Sequence, residues 1–357
     1  MSEYTISKIY PSDRRGMQQA ETLLIREGIR LDGNLDYTCG MYDTDYNLVA
    51  TGSCFKNTLR CMAVSSDHQG EGLMNEIVTH LINVQFERGN IHLFLYTKCT
   101  SAKFFGDLGF YEIARIDGEL VFMENERCGF QHYLEGLKKE TAAFLNSCMA
   151  DSTAHIAAIV MNANPFTLGH RYLVEKAAQE NDLVHLFAVS EDASLVPYTV
   201  RKKLITDGTA DLENVLIHDS GPYIISSATF PSYFQKDEEA VIRGHALLDL
   251  TIFSRIADAL GICRRYVGEE PKSLVTGIYN EIMQTQLPEH GVECIVIPRL
   301  TSGPDAISAS TVRQTLRSGD METLKNMVPA STYDYFTSPE AAPILERIRA
   351  AGNVIHY

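Results

Sequence analysis

The stretch HIAAIVMNANPFTLGH, residues 155–170, decides the fold of the second half of this chain. An apolar run that predicts a buried strand, His155 to Met161, leads directly into Asn, Pro, Thr and Gly, and a helical pattern follows from Arg171. A helix start presents unpaired backbone N–H groups and the positive end of the helix dipole, so it favours phosphate oxygens. Gly169 lets a ligand approach the backbone, and His170 can donate a hydrogen bond to charge that develops on phosphorus. The stretch therefore predicts a nucleotide site.

The length of the chain and the distribution of its apolar residues predict a two-domain globular protein. A chain of 357 residues is longer than one hydrophobic core usually supports. No apolar run reaches the ~20 residues that cross a bilayer. The N-terminal MSEYTISKIYPSDRR also lacks the apolar core of a signal peptide. We therefore expect a cytoplasmic protein with no membrane partner.

Charge and cysteine usage argue against two further classes. A formal net charge of -15 disfavours a nucleic acid partner, because such affinity depends on clustered Lys and Arg. The eight cysteines are scattered without a C-x-x-C pair or a neighbouring histidine cluster. Free thiols are the expected state, and no metal site built from protein side chains is expected.

The pattern along the chain predicts an α/β protein of two domains. Up to residue 128, short β-type runs alternate with helical ones, which indicates an α+β domain over 1–128. Residues 129–150 have the amphipathic spacing of a connecting helix. From residue 151 to 357, strand and helix patterns alternate, which predicts a Rossmann-like parallel sheet with helices on both faces. Ligands bind such sheets beyond the carboxyl ends of the strands, where the 162–170 loop falls.

A second candidate phosphate site is ISASTVR, residues 307–313. Ser308 is a good N-cap for the helix that follows, Ser310 and Thr311 offer hydroxyls to phosphate oxygens, and Arg313 supplies a cation. Between the two stretches, Arg201 begins one of the few basic clusters of the chain, with Lys202 and Lys203 behind it. A solvated helix face explains each lysine equally well. We expect Arg201 to contact the nucleotide.

These elements resemble those of a known superfamily. TLGH, residues 167–170, resembles the (H/T)-x-G-H motif of nucleotidyltransferases, and residues 307–313 resemble their I-S-S-T-x-x-R signature. The wider similarity is to the citrate lyase ligase family, and it rests on NANPFTLGHRYLVE (162–175), ATFPSYF (228–234), HALLDLTIF (245–253), VGEEP (267–271) and ISASTVR (307–313). The resemblance implies that ATP and acetate acetylate the thiol of the prosthetic group on the acyl carrier subunit of citrate lyase, with release of AMP and pyrophosphate.

Residue roles follow from matching this chemistry to the motifs. We assign His170 and Thr167 to the α-phosphate and the departing pyrophosphate. Arg313 joins them in catalysis and, with Ser308, Ser310 and Thr311, holds the β- and γ-phosphates, which Mg²⁺ bridges. The rest of the ATP pocket is assigned to Asn162, Asn164, Gly169 and Arg201.

Other interpretations stay open. His170 could serve only to cap or pack its helix. Asp249 and Arg255 contact substrate or pair internally, and Gly268, Glu269 and Glu270 contact adenine or ribose or form a plain loop. The enzyme could instead transfer AMP or CMP to a phosphorylated small molecule such as a phosphopantetheine. A non-catalytic nucleotide-binding assembly factor is the third class.

The first domain carries a motif of its own, DHQGEGLM at residues 67–74. It resembles the Q/R-x-x-G-x-G/A pyrophosphate loop of GCN5-related N-acetyltransferases, with Gln69 and Gly72 at the first two marked positions and Met74 at the third. AKFFGDLGFY, residues 102–111, resembles the closing helix and strand of that fold. Because the prosthetic group is CoA-like, we expect Gln69, Gly70 and Gly72 to bind its arm. A degenerate domain retained for stability is the alternative.

Overall fold

The computed structural model describes residues 4–148, 155–192, 194–224, 230, 238–269, 274–302 and 305–351. They fall into two compact units, Met1–Phe130 with Pro231–Gly244 and Gln131–Phe230 with His245–Tyr357. Within the described ranges, no helix combines the length and the apolar character that crossing a membrane requires.

The first unit contains a seven-stranded sheet in the order β1-β2-β3-β4-β5-β7-β6. Neighbouring strands are antiparallel except β4 and β5, which are parallel. This mixture of helices and a mainly antiparallel sheet confirms the α+β prediction. The elements in chain order are β1 (Thr5–Ile9), α1 (Arg14–Arg26), β2 (Tyr37–Tyr42), β3 (Leu48–Phe55), β4 (Thr58–Val64), α2 (Leu73–Glu87), β5 (Phe94–Thr97), α3 (Ala102–Asp107), β6 (Tyr111–Ile116) and β7 (Leu120–Glu124).

Helix α2 fixes the loop that carries the predicted pyrophosphate motif. Its buried residues Leu73, Ile77 and Leu81 recur every four positions and join the core cluster beneath the sheet. Burying each side chain of this size contributes about 1.5–3 kcal/mol. Gly72 adopts a left-handed conformation, with φ 81°, at the N-cap of the helix. The motif therefore lies where the chain turns from β4 into α2.

The second unit contains a five-stranded parallel sheet in the order β10-β9-β8-β11-β12. The elements that lie wholly or mainly in this unit are, in chain order, α4 (Gly129–Cys148), β8 (Ile156–Met161), α5 (Leu168–Glu180), β9 (Leu183–Ala188), α6 (Tyr198–Gly208), β10 (Val215–Asp219), α7 (Glu238–Leu260), β11 (Arg264–Gly268), α8 (Leu274–Glu289), β12 (Glu293–Ile297), the two-residue strands β13 (Thr301–Ser302) and β14 (Asp305–Ala306), α9 (Ala309–Ser318), α10 (Met321–Lys325), α11 (Ala330–Thr337) and α12 (Ala342–Ala350).

This topology confirms the predicted Rossmann-like sheet and locates its binding edge. Every residue of β9 is buried, as expected for a strand covered by helices on both faces. The chain order of the strands reverses between β8 and β11. In doubly wound sheets, the loops on either side of such a reversal part and leave a crevice beyond the carboxyl ends of the strands. The loop after β8 leads into this crevice.

Candidate active site

Buried apolar residues anchor the loop between β8 and α5 in the core of the second unit. Phe166 is fully buried in the core cluster of the second unit, and Ala163 is also buried. Ala163 has φ 47°, in the left-handed region that non-glycine residues rarely adopt. Such conformations persist where the surrounding structure imposes them, often at functional sites. The loop therefore has a defined shape before any ligand arrives.

Thr167 and His170 form a capping box at the start of α5. The Thr167 hydroxyl accepts a hydrogen bond from the His170 backbone N–H over 3.3 Å. The Thr167 backbone N–H donates to Nδ1 of His170 over 3.1 Å, and the Thr167 hydroxyl lies 2.9 Å from the same nitrogen. Because Nδ1 accepts, the neutral ring carries its proton on Nε2. His170 therefore both caps the helix and keeps one N–H donor for a ligand.

The electrostatic surroundings keep this imidazole neutral. Burial, aided by the positive charge of Arg299, lowers the pKa of His170 to about 4. The ring also stacks on Phe166, with ring centroids 5.8 Å apart. At neutral pH, His170 is thus a hydrogen-bond donor rather than a cation.

Gly169 brings the second motif against the first. A Cβ atom at Gly169 would lie 3.1 Å from the carbonyl oxygen of Ile307, closer than side chains normally approach a backbone. Ile307 immediately precedes Ser308, the N-cap of α9. The starts of α5 and α9 are therefore neighbours, and both present positive helix ends. Gly169 and Ile307, which are 138 residues apart in the sequence, thus lie side by side.

Some residues of the second motif cap α9, and Arg313 links this helix to the loop after β8. Ser308 accepts a hydrogen bond from the Thr311 N–H over 3.1 Å, and the two hydroxyls lie 2.7 Å apart. Arg313 donates from Nη1 to the Asn164 carbonyl over 2.6 Å and from Nη2 to the Ser310 hydroxyl over 3.0 Å. Arg313 thereby ties α9 to the loop after β8. Ser310 is exposed on the first turn of α9. The backbone N–H groups of a first turn have no carbonyl partner within the helix.

Arg201 lies behind the loop instead of in the open part of the crevice. It is fully buried and donates to the main-chain carbonyls of Asn162, Val189, Glu191 and Val196. Four of its five N–H groups are used in this way. Its position is that of a brace for two loops, and its predicted contact with ATP stays a prediction.

Asn162 and Asn164 connect the same two loops through their side chains. The Asn162 amide donates to the Ser194 hydroxyl over 3.0 Å. The Asn164 side-chain oxygen accepts from the Val196 N–H over 3.0 Å. Only Asn162 is exposed; Asn164 is 7% exposed. Asn162 is thus the better placed of the two to meet a ligand.

The two lysines of the basic cluster lie on the surface. Lys202 pairs with Asp219 over 2.5 Å, and Lys203 pairs with Asp207. Such exposed pairs contribute little to stability. Their positions agree with the solvated-face interpretation.

Arg299 is a further candidate site residue, which was not predicted from the sequence. It follows β12 and donates from Nε to the Glu269 carbonyl over 2.8 Å. Its charge contributes to the lowered pKa of His170, so the two side chains share one electrostatic environment. A signal was available: a cation directly after the last strand of a parallel sheet lies at the edge where ligands bind.

Several other candidates have different outcomes. Arg255 is exposed on α7, whereas Asp249 is buried beside Arg265. Glu270 and, apart from Phe230, the stretch 228–234 lie outside the described residues. Gly268 has open space where a Cβ would stand.

In the first unit, the predicted pyrophosphate motif borders a cavity of about 530 Å³. Gln69, Gly70, Gly72 and Met74 line it, with Tyr96 and Phe105 among the apolar contributors. Gly70 and Gly72 both have positive φ, 91° and 81°, which an L side chain rarely adopts. The loop thus borders a cavity large enough for an organic ligand.

Comparison with known proteins gives the family. The model of the family described as Citrate lyase ligase C-terminal domain matches residues 156–336. A citrate (pro-3S)-lyase ligase of Escherichia coli (strain K12) is 39% identical over 313 residues, covering 85% of this chain and 86% of the relative. One from Haemophilus influenzae is 36% identical over 330 residues, covering 91% and 96%.

Among solved structures, the ribosomal-protein-S18-alanine N-acetyltransferase from Escherichia coli covers 34% of this chain and 92% of its own, at 19% identity and a TM-score of 0.28. A protein assigned as a nicotinate-nucleotide adenylyltransferase from Vibrio parahaemolyticus covers 55% and 96%, at 15% identity and a TM-score of 0.34. The extended identity with the curated relatives, together with the family match, establishes that this chain belongs to the citrate lyase ligase family.

Proposed function

We propose that this enzyme uses ATP to join acetate to the thiol of the acyl carrier prosthetic group of citrate lyase. The observation that carries the proposal is the meeting of two helix starts, at Gly169 and Ile307, beside a neutral His170. Positive helix ends and a fixed N–H donor suit the triphosphate of ATP, which enters as its Mg²⁺ complex. The name of the curated relatives supports citrate lyase as the target.

The reaction has two substitution steps. In the first, a carboxylate oxygen of acetate attacks the α-phosphorus, the bond to the bridging oxygen breaks, and pyrophosphate leaves with that electron pair. In the second, the thiol sulfur attacks the carbonyl carbon of acetyl-adenylate, AMP leaves, and the thiol proton passes to water. Neither step needs a nucleophile from the protein. Catalysis is therefore positioning and charge stabilisation.

The side chains divide this work. The Nε2–H of His170 donates to the α-phosphate as charge shifts toward pyrophosphate. Thr167 orients that ring through its backbone N–H and its hydroxyl. The first-turn amides of α9 and the exposed Ser310 meet the β- and γ-phosphates, with Arg313 and Arg299 as nearby cations. Asn162 and Gly169 border the nucleotide, while Arg201 and Asn164 hold the loops in shape.

The cavity of the first unit supplies a site for the CoA-like arm of the carrier. Its glycine loop offers backbone amides to a pyrophosphate, and its apolar wall suits the pantetheine chain. Met74 borders the cavity and also packs partly against the core. We assign Gln69, Gly70 and Gly72 to the arm.

A nucleotidyltransferase would use the same α-phosphate chemistry, so the products must decide between the two. The test is isotope exchange between labelled pyrophosphate and ATP, in the presence of Mg²⁺, with and without acetate. Exchange that requires acetate is the expected result, because adenylate formation is reversible and needs the acid. Exchange that ignores acetate but requires a phosphopantetheine compound would overturn the proposal in favour of nucleotidyl transfer.

A further inference from the structure

A buried group of charged and aromatic side chains lies on the face of the second sheet that α7 and α8 cover. Arg265 of β11 is only 4% exposed. Its Nη2 atom lies 3.6 Å from Oδ2 of Asp249, which accepts a hydrogen bond from the Tyr279 hydroxyl. The ring of Phe253 lies against the guanidinium, with its centroid 4.2 Å from Cζ. One arginine is thus enclosed by residues of two helices.

Two donors of this guanidinium have no acceptor among the described residues. Within the part of the chain that the structure describes, nothing accepts a hydrogen bond from Nε or Nη1 of Arg265. An arginine cannot shed these protons, and leaving buried donors unpaired is unfavourable. The other buried arginines of this unit differ: Arg201 donates to four carbonyls, and Arg313 donates to Asn164 and Ser310.

The contacts of Arg265 place its charged end near the ligand edge of the sheet. Helices in such units run antiparallel to the strands they cover. Asp249 lies 11 residues before the end of α7 at Leu260, about 16 Å along the axis. Tyr279 lies 10 residues before the end of α8 at Glu289, about 15 Å. The five residues of β11 span about 16 Å, so both partners lie level with its carboxyl end.

We propose that Arg265 binds the carboxylate of the small-acid substrate, next to the switch point between β8 and β11. This assignment rests on the proposed function, in which acetate is a substrate, and gives the side chain whose positive charge binds the acetate carboxylate. A carboxylate supplies the oxygen acceptors that the unused donors of Arg265 need. Asp249 pairs with Nη2 of the guanidinium and not with Nε or Nη1. The Tyr279 O–H donates to Asp249 and so offsets part of the negative charge of that carboxylate. Phe253 offers an apolar contact to a short alkyl group, so the ligand class is a short monocarboxylic acid.

The test compares Arg265→Lys with Arg264→Lys. Lysine keeps the charge beside Asp249 but lacks the guanidinium fork. Arg264, the neighbouring residue, donates to the Glu180 carbonyl and Asn181 instead. In the pyrophosphate exchange assay, we expect Arg265→Lys to raise the apparent KM for acetate about tenfold or more, with the KM for ATP nearly unchanged. An unaltered acetate KM, or equal effects of both variants, would overturn the assignment.

A binding measurement separates this inference from the proposed function. Saturation-transfer NMR of the acetate methyl group, with a non-cleavable α,β-methylene analogue of ATP present, reports acetate binding without catalysis. Wild-type protein should show transfer that Arg265→Lys loses. If exchange fails in wild type but this difference persists, the function is wrong and the carboxylate site stands. If exchange proceeds but transfer is the same in both proteins, the site is wrong and the function stands.

Should Arg265→Lys fail to fold, Phe253→Leu provides a second test. The smaller side chain widens the apolar wall while keeping the guanidinium. We expect the ratio of kcat/KM for propionate over acetate to rise severalfold. An unchanged ratio in a folded Phe253→Leu protein would count against the site.

Discussion

The backbone N–H of Thr167 donates to Nδ1 of His170 across 3.1 Å, which determines the nitrogen that faces a ligand. The acceptor role of Nδ1 leaves the proton on Nε2. The low pKa of the ring, about 4, keeps it neutral at working pH. A single capping contact therefore connects the start of α5 to the chemistry proposed for the α-phosphate.

Replacing His170 by Asn should separate the cap from the donor. The Asn side-chain oxygen can occupy the place of Nδ1 and accept the Thr167 N–H, but nothing replaces Nε2–H. We expect acetate-dependent pyrophosphate exchange to fall about 10²- to 10³-fold, with little change in Tm. His170→Gln, whose amide reaches toward the Nε2 position, should retain more activity. A His170→Asn protein with normal exchange would rule out the donor role.

Adding one methyl group at Gly169 should disturb the meeting of α5 and α9. The new Cβ would lie 3.1 Å from the Ile307 carbonyl oxygen and push the two helix starts apart. We expect at least about a tenfold loss in exchange rate, because small displacements of positioned groups are costly. Gly136→Ala in α4 is the control, since its Cβ would meet nothing within 4 Å. Equal activities of the two variants would contradict the close approach.

Arg201→Lys should affect folding before it affects ATP binding. The substitution abandons most of the four hydrogen bonds to buried carbonyls. We expect the free energy of unfolding to drop on the order of 3 kcal/mol, measured by denaturant titration, with a KM for ATP close to wild type in the remaining folded protein. Lys202→Met, at a surface pair, should stay within about 1 kcal/mol of wild type. Full stability combined with a large rise in the KM for ATP would instead indicate direct contact.

Two glycine variants with similar backbone strain test the cavity of the first unit. Gly72 and Gly89 have φ of 81° and 83°, and a Cβ at either position would meet nothing within 4 Å. Of these two glycines, only Gly72 lines the cavity. Gly72→Trp should raise the KM for the carrier about tenfold or more and leave acetate-dependent exchange intact, whereas Gly89→Trp should change neither. Identical carrier KM values would favour a domain retained for stability alone.

Low pH should destabilise the protein through His185. Burial, aided by the nearby His218, lowers the pKa of His185 to about 3 from an ordinary value of 6.5. Between these values the unfolded chain binds a proton that the folded chain does not, so stability falls as pH falls through this window, by up to about 1.4 kcal/mol per pH unit. His185→Phe should make the dependence shallower in urea titrations at several pH values. His155→Phe, at an exposed position, should leave it unchanged; an unchanged slope in His185→Phe would contradict this account.

The sequence predicted the strands and helix starts of the second unit better than the work of individual side chains. The apolar run to Met161 and the N-cap at Ser308 are local patterns, and both occur as predicted. Whether Arg201 contacts a ligand or the protein depends on which main-chain carbonyls surround it in the folded chain. The sequence around Arg201 does not indicate which carbonyls those are. In the first unit, β1 and α1 went unpredicted, although the spacing of Ala20, Leu23 and Leu24 on α1 is that of a buried helix face.

The role proposed for Arg265 could not be predicted from the sequence either. Its sequence neighbourhood, ICRRYVG at residues 262–268, is that of a buried strand, and nothing there distinguishes it from Arg264. The difference arises in three dimensions: one arginine donates to Glu180 and Asn181, whereas two donors of the other have no acceptor in the described part of the chain.

Following a label from acetate to the carrier thiol tests the proposed acetyl transfer most directly. The protein is incubated with ATP, Mg²⁺, labelled acetate and the deacetylated acyl carrier of citrate lyase, and the carrier is analysed by intact mass and by thioester cleavage with hydroxylamine. We expect a hydroxylamine-labile acetyl group on the carrier thiol and an equal amount of AMP, with neither formed by His170→Asn at a comparable rate. Transfer of the adenylyl group to the carrier or to a phosphopantetheine, with no labelled thioester, would contradict it.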